Sequence, residues 1–272
     1  MSLEMSEAKT IPLVQKPNTV DSLAKDLAGL GLKAGATVIV HSSLSSLGWV
    51  SGGPVAVVQA ILSVVTASGT VIMPTHSSGY SEPSHWQNPP VPEAWWSSIR
   101  ESMPAFDPRF TPTTYMGAIP EVFRTFPGVA RSRHPSVSFA AWGKHAKEIT
   151  ESHQLEWSLS DSSPLGQIYN LDGLILLLGV GHGSNTSLHL AESRLPAMPV
   201  KTEGAPVLIN GRREWVTYRD FAYDADDFKK IGEAFEESNS VMTGKVGSSN
   251  ACLLRQRLIV DFALEWLKAH RN

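Results

Sequence analysis

The sequence predicts an α/β fold, a parallel sheet with helices on both faces. Two short unbroken apolar runs, residues 36–40 and 70–73, are joined by a stretch with helical apolar spacing, and a third unbroken run covers residues 174–180. Strands covered on both faces read as continuous apolar sequence, and strand–helix–strand order makes neighbouring strands parallel. At 272 residues and 42% hydrophobic, the chain has enough apolar material for a sizeable core.

The elements follow in order. Asn18 and Thr19 read as a helix start, Val20, Leu23, Leu27 and Leu30 fall at helical spacing, and Gly31 is the expected stop. The strand at 36–40 runs into a serine- and glycine-rich turn at 41–53. The next helix is expected to turn Val55, Val58, Leu62 and Val65 to one face, and Gly69 closes it before the strand at 70–73. Residues 76–112 hold seven prolines and three tryptophans, too many aromatics for a linker, and are expected to form an ordered excursion over the site. The strand at 174–180 leads through Gly181-His182-Gly183 to a short helix from about Asn185. Asn210-Gly211, between apolar segments, is a two-residue hairpin signal. Phe228, Ile231 and Phe235 mark a further helix, residues 244–249 a loop, and residues 251–268 a final helix.

Composition excludes several functions. A net charge of −3 argues against a nucleic-acid partner, which requires a basic face. The single cysteine, Cys252, forbids an internal disulfide and any multi-cysteine metal site, and its apolar neighbours suggest an inert thiol. No apolar run approaches the roughly 18 residues of a membrane span. The first ten residues lack the apolar segment of a secretion signal, so a cytoplasmic protein is expected.

Four segments carry candidate chemistry. His189 and Glu192 lie three apart on an expected helix, hence on one face, just after the carboxyl end of a strand, where α/β sheets gather ligands. A histidine oriented by a carboxylate is a general-base arrangement, although a helix-surface ion pair has the same spacing. The turn His41-Ser42-Ser43-Leu44-Ser45 with Gly48, Gly52 and Gly53 could cradle an anion on backbone N–H groups, or could be a polar turn with a capping serine. Arg131-Ser132-Arg133-His134 could grip a phosphate or form a solvated basic turn. Asp224, Asp226 and Asp227, with Glu82 in the excursion, could hold a cationic ligand; a solvated helix start is the alternative. No HExxH, paired ExxH or cysteine cluster is present, and no metal is expected.

Taken in order, several blocks resemble the aminoglycoside 3-N-acetyltransferase family of antibiotic N-acetyltransferases. They are Val40-His41-Ser42-Ser43-Leu44 with Leu47-Gly48; Gly69-Thr70 with Met73-Pro74-Thr75; Pro89-Pro90-Val91-Pro92 with Trp95; Thr111-Pro112-Thr113 with Met116-Gly117; Arg131-Ser132-Arg133-His134-Pro135; Ser138-Phe139-Ala140-Ala141-Trp142-Gly143; Ser163-Pro164-Leu165; Leu177-Leu178-Gly179; and Asn185-Thr186-Ser187-Leu188-His189-Leu190-Ala191-Glu192. They extend from about residue 23 to 266. The resemblance implies a three-layer α/β/α sandwich with a mixed, largely parallel central sheet, one domain over residues 1–272. It also implies acetyl-CoA as co-substrate and direct transfer to a small-molecule amine, an aminoglycoside, with His189 as base assisted by Glu192. His41, Ser42, Ser43, Leu44, Ser45, Pro74, Thr75, Thr113 and Met116 would face CoA. An acetyltransferase for another small amine and a CoA- or polyamine-binding protein without turnover are the alternatives. The sequence gives no oligomeric state.

Overall fold

A computed structural model describes residues 8–271. The expectation of no secretion signal therefore falls largely outside the described residues. Among the described residues no helix is long and apolar enough to cross a membrane. In chain order the elements are α1 (Val20–Leu30), β1 (Thr37–Ser42), α2 (Gly53–Val65), β2 (Thr70–Pro74), α3 (Trp96–Ser102), α4 (Ala118–Phe123), β3 (Ala130–Arg131), β4 (Phe139–Gly143), α5 (Ala146–Glu151), α6 (Pro164–Asn170), β5 (Leu174–Leu178), α7 (Leu188–Ser193), β6 (Val200–Ile209), β7 (Arg212–Phe221), α8 (Phe228–Ser238), β8 (Met242–Val246), β9 (Ser249–Arg255) and α9 (Gln256–His270). Short 3-10 turns, among them Leu44–Leu47 and His182–Ser184, lie between them.

Seven strands form one sheet in the order β3-β4-β2-β1-β5-β9-β8. β1 is parallel to both β2 and β5, while the outer pairings are antiparallel. The sheet is mixed, as expected, but its parallel part is confined to the three central strands. Alternating side chains feed two cores. Val38, Val40, Val71, Met73, Leu176 and Leu178 pack under α1, α2 and α4, whereas Ile39, Ile72, Ile175 and Leu177 pack under α5 to α9. Two buried faces explain why these strands read as unbroken apolar runs.

α1 begins and ends where its signals lie. The Thr19 and Ser22 side chains exchange capping hydrogen bonds with each other's backbone N–H, and Gly31 takes the left-handed conformation at φ 111°. α2 differs from expectation in its buried face. Ala56, Val57, Val58, Ala60, Ile61 and Val65 are buried, while Val55 is 42% exposed, because the helix is apolar nearly all round and spacing cannot choose a face. The larger correction is at the C-terminus. Residues 249–255 are strand β9, not the start of the last helix, and 242–246 pair with it as β8 in place of a loop. Ala251-Cys252-Leu253-Leu254 enters the sheet beside β5, where a short apolar run is satisfied as well as in a helix.

β6 and β7 form a separate ribbon turned by Asn210 (φ 51°) and Gly211 (φ 77°), longer than the hairpin signal alone implied. The proline- and tryptophan-rich excursion is tied to this ribbon by several hydrogen bonds. Phe106 N–H donates to Pro206 O (3.0 Å), Arg213 Nε to Met103 O (3.0 Å), and Glu82 N–H to Glu203 Oε2 (3.4 Å).

Candidate active site

A cavity of about 670 Å³ opens at the carboxyl ends of β1, β2 and β5, where α/β sheets hold ligands. β1 delivers His41 and Ser42, and the following 3-10 turn adds Leu44 and Ser45. His76 follows the end of β2. Beyond β5, residues 183–186 form another wall and α7 presents His189. Tight packing fixes that wall. Gly232 of α8 approaches the His182 ring so closely that a Cβ would lie 2.0 Å from it. Buried Gln256 at the start of α9 donates to Ser187 Oγ (3.1 Å), next to α7.

The one-turn spacing brings His189 and Glu192 together. His189 Nδ1–H donates to Glu192 Oε2 at 2.5 Å, and the ring sits between Tyr223 and Phe228, with centroids 5.1 and 4.7 Å away. The Glu192 side chain is fully buried, and its second oxygen accepts from Arg271 Nη1 (2.5 Å) and Asp224 N–H (3.1 Å). Three donors thus satisfy one buried carboxylate, as burial of a charge demands. With Nδ1 committed, His189 Nε2 is the ring nitrogen left to exchange a proton. Sequence reasoning did not find Arg271. It lies 79 residues from Glu192, in a terminal segment without pattern, so no local signal points to it.

Two further histidines share the cavity without a carboxylate. Burial lowers His41 and His76 to pKa values of about 3, so both are neutral. Nε2 of each is sealed from solvent without a hydrogen bond, as is Ser42 Oγ.

The structure sorts the residues expected to face CoA. His41, Ser42, Ser43, Leu44, Ser45, Pro74 and Met116 line the cavity; Thr75 and Thr113 do not. Thr75 is buried, its hydroxyl donating to Ser138 O (3.2 Å), which ties β2 to β4. Thr113 gives both N–H and hydroxyl to Glu121 Oε2, each at 2.8 Å, fixing the approach to the Tyr115-Met116 wall. The Glu121 carboxyl is pulled down to about 2 by these donors and by Arg124, against the opposing effect of burial.

The acidic residues are not in the lining either. Glu82 is paired with Arg100 (2.5 Å) and caps its own turn through Ser84 N–H. Asp224 contributes its backbone to Glu192 and Arg271, while its carboxylate accepts from Asp226 N–H (2.9 Å). Asp227 pairs with Lys230 and Arg271, both at 3.1 Å. Ala225 and Phe228, between and after them, reach the cavity instead, and no lining residue is acidic. The carboxylates of Glu82, Asp224 and Asp227 are thus engaged by neighbouring N–H groups or cations, while Asp226 is exposed outside the lining. The basic segment is structural too. Arg131 holds Thr75 O (2.7 Å), Thr111 O (2.5 Å) and Ser77 Oγ (3.0 Å), and His134 is buried against His153 at 4.8 Å. Of the excursion only His76 is in the lining. Cys252 is buried and its thiol pushed up to about 12, first by burial and then by Glu236, which fits the expected inert thiol.

Known proteins resemble the chain over nearly its whole length. The family model described as aminoglycoside 3-N-acetyltransferase matches residues 39–268. An SPbeta prophage-derived aminoglycoside N(3')-acetyltransferase-like protein, YokD of Bacillus subtilis (strain 168), is 49% identical over 92% of each chain. The crystal structure of YokD aligns with a TM-score of 0.95, covering 97% of this chain and 99% of that one. Solved AAC-IIIb, a binary complex with CoASH, is 30% identical with a TM-score of 0.83 over 93% of this chain and 97% of its own. AAC-VIa bound to sisomicin is 30% identical with a TM-score of 0.84 over 93% and 98%. A His–Glu pair at the strand ends of such a sheet, together with these matches, shows that the chain belongs to the aminoglycoside 3-N-acetyltransferase family, a family of acyltransferases.

Proposed function

We propose that this protein transfers the acetyl group of acetyl-CoA directly to an amine, the 3-amino group of an aminoglycoside, with His189 as general base. The observation that carries the proposal is the His189–Glu192 pair on the cavity wall, with Nδ1 held and Nε2 open. The relatives solved with CoASH and with sisomicin support the two substrates. The cavity suits the donor. Its volume lies within the range of small-molecule sites, about 300–1,000 Å³. His41, Ser42, Ser43, Leu44, Ser45, Pro74 and Met116 would hold the donor, with Thr75 and Thr113 shaping the wall from behind. The reaction needs no metal in this reading, and an acetyl-CoA-dependent enzyme of this kind belongs in the cytoplasm.

An ammonium cannot attack a thioester until it loses a proton. His189 Nε2 takes that proton, and Glu192 keeps Nδ1–H in place and stabilises the resulting imidazolium. Arg271 and the Asp224 N–H prevent Glu192 from turning away. General-base assistance contributes about 10²–10⁴-fold, and fixing the two reactants supplies much of the remainder. Asp226 is the carboxylate best placed for the acceptor's other ammonium groups. It is exposed beside Ala225 of the lining, and no hydrogen bond or ion pair occupies its side chain among the described residues.

One observation favours a second reading, acetylation of a less cationic small-molecule amine: the cavity lining has no acidic residue. Thiol release from acetyl-CoA with a panel of amines decides. Turnover of several aminoglycosides supports the first reading, turnover of other amines alone the second, and release with none of them removes both.

A further inference from the structure

We infer that His76 is a catalytic hydrogen-bond donor that carries the negative charge developing on the thioester oxygen. The inference rests on the acetyl-transfer reading above. His76 lines the cavity together with His189 and sits just beyond β2. Its ring stands edge-on to Phe139, with centroids 5.4 Å apart, which fixes its plane. Neither ring nitrogen has a hydrogen-bond partner among the described residues, and Nε2 is sealed from solvent. A proton on sealed Nε2 would be a buried donor with nothing to receive it, an arrangement folded proteins avoid. The proton therefore belongs on Nδ1, the nitrogen that is not sealed, in a residue that lines the cavity. His41 has the same sealed Nε2. Burial is the main cause that lowers both rings; the next influence is His182 for His41 and His189 for His76.

The chemistry needs such a group. The amine lone pair forms the new C–N bond while the carbonyl π pair moves onto the thioester oxygen. That pair then returns to remake C=O as the C–S bond breaks and the sulfur leaves with its electrons. The ammonium gives up two protons in all: one leaves to solvent before attack, and the other, taken by His189 Nε2 as the C–N bond forms, ends on the sulfur, so charge and atoms balance. Negative charge resides on oxygen between the two stages, and a fixed donor there is worth most in a site closed to water. His76 gives up no proton. Burial and the imidazolium formed on His189 both oppose a charge on His76, so it remains a neutral donor throughout.

The test reads the donor without an acceptor. Infrared difference spectra of [1-13C]acetyl-CoA bound to the protein should show the thioester carbonyl stretch at lower wavenumber than when free in water. The shift should vanish in His76→Leu and persist in part in His76→Asn, which retains an N–H donor. With an amine that the parent turns over, His76→Leu should lower kcat about 10²–10³-fold with little change in the acetyl-CoA KM, and His76→Asn should recover part of that loss. Equal losses in both variants, or a His76→Leu kcat within about threefold of the parent, would overturn the inference. So would an unshifted carbonyl in the parent protein, a reading that needs no variant to fold. Failure of the parent to bind acetyl-CoA at all would strike the acetyl-transfer reading instead.

Discussion

Two histidines of one short segment are each paired with a carboxylate, and the surroundings of the two pairs differ. His182 Nε2 meets Glu236 at 2.9 Å and His189 Nδ1 meets Glu192 at 2.5 Å. Both histidines follow β5, and neither pair differs in residue type. Glu192, however, is fully buried and takes three donors, whereas the Glu236 side chain is 41% exposed. His182 has both ring nitrogens engaged, one by Glu236 and one by Asn185 at 3.4 Å, with Gly232 against its ring. His189 keeps one nitrogen open on a cavity. A base requires a free nitrogen and a carboxylate that cannot swing away, and both are properties of surroundings.

The sharpest way to break this contrast is to remove each histidine. His189→Ala should lower kcat by at least about 10²-fold while acetyl-CoA still binds, whereas His182→Gln should change kcat less than about tenfold and mainly lower the melting temperature. Steady-state kinetics with a donor-binding assay check both; a larger kcat loss in His182→Gln would invert the assignment. Glu192→Gln should cost less than His189→Ala, because the carboxylate orients and does not take the substrate proton.

Histidines without a carboxylate extend the comparison. His41 and His76 are held down to about 3 and His153 to about 4, chiefly by burial, and His134 is lowered as well. Unfolded, each has a pKa near 6.5. Below that pH the unfolded chain binds protons that the folded chain refuses, so stability is full above about 6.5 and falls as pH drops toward 4 and 3. The slope approaches about 1.4 kcal/mol per pH unit for each such ring. Urea midpoints between pH 7.5 and 4.5 test this, and His153→Gln should flatten the curve. A midpoint that rises on acidification would contradict the neutral state of these rings.

Arg271→Met sharpens the role of Glu192. It leaves a fully buried carboxylate short of one charged donor, and should cost about 1–3 kcal/mol in denaturant unfolding and lower kcat, with the acetyl-CoA KM little changed. Unchanged stability and kcat would mean that the Asp224 N–H alone suffices. The smallest expected effect lies at the rim. Asp226→Asn should raise the amine KM a few-fold, on the order of 1 kcal/mol, without moving the acetyl-CoA KM, and less so at high salt. Asp227→Asn should act on stability instead, because its carboxylate is already engaged by Lys230 and Arg271.

The amino-acid sequence by itself determined the elements whose physics is local. Thr19 and Gly31 bound α1, Asn210-Gly211 turns the ribbon, and the apolar runs at 36–40, 70–73 and 174–180 supply the three parallel strands at the sheet centre, β1, β2 and β5. The His189–Glu192 contact was legible for the same reason, since three residues on a helix is one turn. Tertiary structure decided what depends on distant partners. Ala251–Leu254 became strand because β5 offered an unpaired edge, a fact 70 or so residues removed from that run. Arg131 became a brace and Asp227 an ion-pair partner because burial brings each beside groups that chain order does not announce. Arg271 completes the Glu192 site from the far end of the chain, and His76 and His41 turn from surface-type residues into neutral rings on one cavity wall. Hydrogen bonding and desolvation act through space, so spacing along the chain foretells them only within a turn or a hairpin.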